Sequence, residues 1–301
     1  MTQNNYHTPV LLKDCIEGLN IQAGGVYVDV TFGGGGHSKE ILKNLREGRL
    51  IAFDQDESAM ENKVDDSRFL LLRQNFRFLK NNLRLHNALP VDGILADLGV
   101  SSHQFDEPER GFSTRFDASL DMRMDKHLHL KARDVINQYE EDQLRRIFLE
   151  YGELENSARL ARTICTRRKT KPIETGNDLK EVAKEFIRWG KENQYYAQLF
   201  QALRIEVNKE LDALKEMLMQ TIEILKPGGR LVVISYHSLE DRMVKNFMRS
   251  GKMEGDADKD FYGNSLSPFK LITRKPIVPD ENEIKNNNRA RSAKLRIAEK
   301  L

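Results

Sequence analysis

Cysteine is scarce in this chain: Cys15 and Cys165 are the only two in 301 residues, and neither stands at a metal-ligand spacing from other candidate ligands. Neither a disulfide scaffold nor a zinc finger is therefore expected, no metal is expected, and a reducing compartment, the cytoplasm, is the expected location. Long apolar runs are missing as well. No stretch approaches the roughly 18 residues that a membrane helix needs, and Met1-Thr2-Gln3-Asn4-Asn5 lacks a basic region followed by a hydrophobic block, so no membrane partner and no secretory leader are expected. Charge of one sign does not dominate: 48 basic and 46 acidic residues leave a formal charge of +2, too small for net charge to announce nucleic-acid binding. There is no internal repeat. The length suffices for one large domain or two smaller ones with their own cores, and the pattern along the chain favours two.

What is present begins near the N-terminus. Val26-Tyr27-Val28-Asp29-Val30-Thr31-Phe32 runs straight into Gly33-Gly34-Gly35-Gly36-His37. A parallel strand ending in glycines lets the backbone turn sharply and approach a ligand at the start of the next helix. Asp54 closes the apolar stretch Leu50-Ile51-Ala52-Phe53 and follows Gly33 by 21 residues, close to the spacing of about 20 for a carboxylate that accepts hydrogen bonds from ribose hydroxyls. Four glycines alone would also suit a flexible turn; the strand, helix and carboxylate around them favour a nucleotide pocket. The spacing is not G-x-G-x-x-G, and the helix start carries His37 and Lys39 without a pyrophosphate cradle. An adenosyl ligand without phosphates fits at least as well as a dinucleotide.

The first hundred residues alternate strands and helices, with strands expected at 26–31, 50–53, 69–73 and 93–96, hence a parallel α/β sheet. Residues 104–204 show helical periods instead, among them Leu144, Ile147, Phe148 and Tyr151, and then Leu179, Val182, Ala183, Phe186 and Ile187. An inserted all-helical domain at 104–204 is expected, between the halves 1–103 and 205–301 of the sheet domain. One long helical pattern from Leu203 through Leu211, Leu218 and Leu225 leads back to a strand at 230–235 through Lys226-Pro227-Gly228-Gly229. Residues 251–267 read as a loop, and further strands are expected at 270–274 and 294–298.

Three places could carry chemistry beside the glycine loop. Asp97-Leu98-Gly99-Val100-Ser101-Ser102 follows the fourth strand, at the edge where open α/β sheets gather reactive groups; Asp97 there can orient a substrate amine, hold a ligand's ammonium, or cap a turn. Ser235-Tyr236-His237-Ser238-Leu239-Glu240-Asp241-Arg242 occupies the equivalent edge of the next strand. Ser238 and Asp241 resemble a capping box, and His237 reads equally as a substrate contact or as a histidine satisfied at a helix N-terminus. Two basic segments, one with Arg159, Arg162, Arg167, Arg168, Lys169 and Lys171, the other with Arg289, Arg291, Lys294 and Arg296, are either solvated faces or the two ends of a polyanion path.

These blocks, in this order, resemble the bacterial small-subunit ribosomal RNA cytosine-N4 methyltransferases. The resemblance rests on His7-Thr8-Pro9-Val10-Leu11-Leu12, the glycine loop through His37, the stretch from Asp97 to Ser102, Glu109-Arg110-Gly111-Phe112-Ser113, and Leu120-Asp121-Met122-Arg123-Met124-Asp125. It also rests on Phe200-Gln201-Ala202-Leu203-Arg204-Ile205, the stretch from His237 to Arg242, and Arg289-Ala290-Arg291-Ser292-Ala293-Lys294-Leu295-Arg296. It implies a class I, Rossmann-like methyltransferase sheet with a helical insert, S-adenosylmethionine as donor, and 16S ribosomal RNA of the small subunit as substrate, at cytosine 1402. It further implies that Gly35, Gly36, His37, Asp54, Phe76, Asp97 and Gln104 line the cofactor site, with Phe76 against adenine or simply in the core. One departure is Asn193-Gln194-Tyr195-Tyr196-Ala197-Gln198-Leu199, where members of the family often carry a basic Gly-His-Pro-Ala-x-Arg-like stretch.

Cytosine N4 is a poor nucleophile and the sulfonium donor is already activated, so alignment is the main task expected of the protein. Asp97 is the candidate proton acceptor and His237 a second candidate. Arg167, Arg168, Lys169, Arg289, Arg291 and Arg296 are the candidate RNA contacts. The Asp/Asn-Pro-Pro-aromatic tetrad of many DNA amino-methyltransferases is absent. A nicotinamide-dependent oxidoreductase and an RNA-binding ribosome-assembly factor without catalysis are the competing classes.

Overall fold

The computed structural model describes residues 9–263 and 266–301; His7 and Thr8 of the His-Thr-Pro block lie outside them. Contacts divide the chain into one unit of Met1–Gly99 and Leu211–Leu301 and another of Val100–Glu210, against expected boundaries at 103/104 and 204/205.

In the first unit, strands β1 (Val26–Asp29), β2 (Arg49–Asp54), β3 (Phe69–Arg73), β4 (Val91–Asp97), β5 (Leu225–Ser235), β6 (Phe269–Leu271) and β7 (Lys294–Lys300) form one sheet in the order β3-β2-β1-β4-β5-β7-β6. β1 to β5 pair in parallel, and β7 runs antiparallel between β5 and β6. This is a class I Rossmann-like sheet, and the order reverses between β1 and β4, where such sheets open a ligand crevice at their carboxyl ends.

Its strands are apolar runs because both faces are covered. Val28, Ile51, Ile94 and Val233 join one core cluster with Leu79, Leu83, Leu214, Met217 and Phe247. Their neighbours Tyr27, Leu50, Leu95 and Val232 join another with Cys15, Leu19, Ile41 and Leu42, as the period-two alternation of side chains requires. β5 starts earlier than expected: Leu225 already pairs with Val91, and the register then slips before Arg230 pairs with Gly93. Lys226-Pro227-Gly228-Gly229 is thus an irregularity within the ladder, with Gly228 at φ +80°. Phe269–Leu271 ends sooner than the expected 270–274 because the amides of Ile272 and Thr273 both turn to the Ile297 carbonyl, at 3.0 and 3.2 Å.

The second unit is helical among its described residues, apart from one bridge between Ser119 and Thr175. Helices Ala132–Gln138, Glu141–Glu150, Ser157–Arg167, Gly176–Ala183 and Glu192–Asn208 enclose Leu144, Ile147, Phe148, Leu160, Ile164, Leu179 and Leu203. The expected single helix through Leu203 and Leu225 is broken. Lys209 takes a left-handed conformation, φ +51°, and caps Glu192–Asn208; a new helix, Glu210–Ile224, follows. Asn208, just before the break, explains part of the family-specific block: its side chain accepts from the Met124 amide and donates to the Met122 carbonyl, both at 2.7 Å. The Asp-Met-Arg-Met-Asp run is therefore a folding element, with Met122 and Met124 buried and Asp121 gripping Arg123 through Nε at 2.7 Å.

Candidate functional site

The turn after β1 shows why the sequence needs glycine where it does. Gly33 and Gly35 have φ of +52° and +75°, a region that side chains with a Cβ disfavour. At Gly36 a Cβ would come within 2.1 Å of Pro9 Cγ, whereas at Gly34 it would meet nothing within 4 Å. The turn is pinned to β2, since the Phe32 amide donates to the Phe53 carbonyl at 2.9 Å. Helix Gly36–Asn44 then starts with His37 and Ser38 buried.

Asp54 ends β2 facing this turn. Its Oδ2 accepts from the Gly33 amide and its Oδ1 from the Asp56 amide, both at 2.8 Å. Burial pushes its carboxyl up to about 6, opposed by those two amides and reinforced by Asp56 and Asp29. Each oxygen uses one acceptor position this way and retains another.

Asp97, at the end of β4, is fixed from several sides. Its amide donates to Thr31 Oγ1 at 2.6 Å, its Oδ1 accepts from the Tyr236 hydroxyl at 2.7 Å, and its Oδ2 lies 3.8 Å from His37 Nδ1. His37 is held at its other nitrogen, Nε2, 3.1 Å from the Val10 carbonyl. Burial raises the Asp97 carboxyl above the usual carboxylate range, against the lowering effects of His37 and the Tyr236 hydrogen bond. Tyr236, for its part, is raised well above an ordinary phenol by burial and by the Asp97 charge.

Two members of this array were not singled out from sequence. Asp29 at the end of β1 is 1% exposed, accepts from Ser38 Oγ at 2.7 Å and from the Thr31 amide at 3.1 Å, and is raised by burial. Tyr236 is the other. The signal for both was position at the carboxyl edge of the sheet: Asp29 ends β1 at the switch point, and Tyr236 follows β5, the strand next to β4.

Phe76 follows β3 in a short 3-10 turn (Phe76–Phe78) capped by Asn75, half-buried against the first unit's core. Gln104, in the helical unit, is buried and reciprocates a capping box with Ser101: the Gln104 amide donates to Ser101 Oγ at 3.2 Å, and the Ser101 amide to Gln104 Oε1 at 3.1 Å.

Several expectations change. His237 is itself the N-cap of helix Ser238–Ser250: its Nδ1 accepts from the Glu240 amide at 3.4 Å, and its Nε2 lies 3.1 Å from Glu240 Oε1. Nδ1 is thus engaged in capping, whereas Nε2 is buried and makes no hydrogen bond despite that proximity; His237 as N-cap replaces the Ser238–Asp241 box. Asp241 instead binds Arg296, which is 7% exposed, through Nε at 2.7 Å and Nη2 at 3.2 Å. Arg296 is thereby committed within the fold and removed from the basic tail. Arg168 similarly donates to the Ile136 carbonyl at 2.7 Å and ties two helices together, while Arg167, Lys169 and Arg291 are exposed and Arg289 half-buried. Asp241→Ala would strand the buried Arg296 guanidinium and is expected to cost about 2 kcal/mol or more, read as a lowered denaturant midpoint. Arg296 and Lys294 hold the Asp241 carboxyl low against its own burial, so this contribution is present at neutral pH and fades only in acid, as pH falls through the lowered value.

The half-buried carboxylate Asp54 faces a glycine turn with open space at Gly34, and residues 33–39 contain one lysine and no arginine. Such a donor set suits ribose hydroxyls and an uncharged or cationic ligand better than a pyrophosphate. The sequence profile of the MraW methylase family matches residues 4–301. This chain belongs to that family. It is 61% identical to Ribosomal RNA small subunit methyltransferase H of Flavobacterium johnsoniae over all of this chain and 99% of that protein. It is 59% identical to the protein of the same name from Christiangramia forsetii, over 98% of each chain, and 58% to that of Bacteroides fragilis, over 99% and 98%. MraW membership decides for a methylase against a nicotinamide-dependent oxidoreductase, and S-adenosylmethionine is its methyl donor. Among the described residues no helix is long and apolar enough to cross a membrane.

Proposed function

We propose that this MraW-family chain methylates N4 of a cytosine in 16S ribosomal RNA, acting on the small ribosomal subunit in the cytoplasm, with cytosine 1402 as the target. The full-length match to the family carries the reading, and the identity of 57–61% to proteins named as small-subunit ribosomal RNA methyltransferases supports it. S-adenosylmethionine supplies an electrophilic methyl group on a sulfonium.

Asp54 receives the ribose hydroxyls on the acceptor positions that the Gly33 and Asp56 amides leave open, and Gly35 and Gly36 allow the backbone to approach the cofactor closely. Phe76 would lie along the adenine, and His37 would complete the cofactor's surroundings. Asp97 orients the cytosine amine. As the new N–C bond forms and the C–S bond breaks, one N4 proton must leave, and the Asp97 carboxylate takes it. Tyr236 already donates to Oδ1 of Asp97, which leaves Oδ2 the less committed oxygen. Burial makes this carboxylate a stronger base than one in water. Arg167, Lys169, Arg289 and Arg291 contact RNA phosphates; Arg168, Arg296 and His237 are given structural roles. The helical unit recognises the RNA, and the target base leaves its stack to be modified.

The test is methyl transfer from labelled S-adenosylmethionine to small subunits from a strain lacking this gene, with the nucleoside identified by mass. N4-methylated cytidine is the expected product. Cofactor binding without incorporation, even in a single turnover, would instead favour a non-catalytic assembly factor.

A further inference from the structure

The helical unit carries a feature that neither its core nor its ion pairs use. Trp189 is the chain's one tryptophan and is 98% exposed. It sits at the tip of the turn Ile187-Arg188-Trp189-Gly190-Lys191, where Gly190 has φ +76°. Folding recovers almost none of the indole's apolar surface, whereas an aromatic of this size ordinarily does most for a fold when buried.

The turn is nonetheless well built. The Lys191 amide donates to the Arg188 carbonyl at 3.0 Å, and the Gly190 amide to Glu192 Oε1 at 3.1 Å. Its base is braced against helix Ser157–Arg167: Asn156 Nδ2 donates to the Phe186 carbonyl at 3.3 Å, and the Arg159 guanidinium stands 5.6 Å from the Phe186 ring centroid. Tyr195 in turn donates to Asn156 Oδ1 at 2.9 Å. Arg188 and Lys191, on either side of the indole in the chain, are exposed; Lys184 is exposed too but lies 3.8 Å from Glu181, and Glu185 and Glu192 are the acids nearest in sequence.

A bare aromatic side chain with cations beside it in the chain suits unpaired nucleic acid: phosphates meet the positive charges and a base stacks on the ring, whatever its identity. We infer that Trp189, flanked by Arg188 and Lys191, is a stacking platform for an unpaired base of the RNA substrate. The inference rests on the ribosomal RNA reading above and adds to it a contact on the helical unit that the basic segments 157–172 and 289–296 do not include.

Trp189 is the only tryptophan, so tryptophan emission reports on this position alone. Unpaired oligocytidine is expected to quench it, whereas a duplex of equal phosphate concentration leaves it largely unchanged. Binding of unmodified small subunits is then compared across wild type, Trp189→Phe and Trp189→Ala. A stack is worth roughly 1–3 kcal/mol per base, so Trp189→Ala should weaken binding by about 5- to 150-fold, while Trp189→Phe retains most of the affinity. Equal affinity of wild type and Trp189→Ala would overturn the inference and leave the ribosomal reading standing. Failure of the wild type to bind or methylate subunits would overturn that reading itself. A blue shift that follows protein concentration without RNA would assign the face to a second copy of the chain, and also overturn the inference.

Discussion

Asp54→Ala is expected to weaken S-adenosylmethionine binding by at least 100-fold and to abolish methyl transfer at ordinary cofactor concentrations. Hydrogen bonds to a charged acceptor contribute about 1.5–3 kcal/mol each, and in the proposed reading the substitution removes two to the ribose together with the anchors of the Gly33 and Asp56 amides. Asp54→Asn is the sharper variant, because the amide keeps the volume yet offers one acceptor in place of two. Titration calorimetry with S-adenosylhomocysteine would measure both. Near-normal affinity in Asp54→Asn would sink the ribose assignment. The pH dependence gives an independent check. The carboxyl stands at about 6 in the folded protein, and ribose binding needs it ionised, so affinity should fall below pH about 6, approaching tenfold per unit. Stability of the ligand-free protein should move the other way. A raised carboxyl contributes stability that is full below its unfolded value and is lost as pH rises through about 6, so acidification from neutrality should stabilise this locus while it weakens cofactor binding.

The parallel strands were readable because burial on both faces turns each into an apolar run. Phe69–Arg73 was bounded correctly, and Arg49–Asp54 and Val91–Asp97 differed only at their ends. Asp54 was legible because a local rule fixes its distance from the glycines. Other features depend on partners far away in sequence. Nothing near Arg296 announces Asp241, 55 residues earlier, and nothing in the apolar period through Leu203 and Leu211 announces that Lys209 turns left-handed. Asp29 and Tyr236 escaped for the same reason: one reads as a strand residue, the other as a loop aromatic, until three strand ends bring Asp29, Asp97 and Tyr236 into one neighbourhood. His237 shows the converse case: its motif invites a catalytic reading, and the fold shows besides that its Nδ1 caps the helix that follows, accepting from the Glu240 amide.

Asp97→Asn should separate catalysis from folding. In the proposed reading Asp97 orients the N4 amine and takes its proton, and loss of a positioned base typically costs 10²- to 10⁴-fold in rate; turnover should fall by at least 100-fold, with the larger part in kcat. The same substitution should not harm the fold. Burial raises the Asp97 carboxyl, which means that its ionised form is disfavoured by the folded protein at neutral pH and lends no stability there. A neutral amide that still faces the Tyr236 hydroxyl avoids that cost, so the thermal midpoint should be unchanged or higher, as at other sites where function is held at the expense of stability. Tyr236→Phe gives the intermediate case. Removing the hydroxyl lifts a lowering influence from Asp97, so the acidic limb of the rate profile should shift to higher pH, with the deficit largest at low pH and recovered in alkali. A purely structural role for Tyr236 would depress the rate equally across the profile. Turnover preserved in Asp97→Asn, with only cofactor affinity weakened, would end the proton-acceptor role and leave Asp97 as a ligand for the cofactor's ammonium.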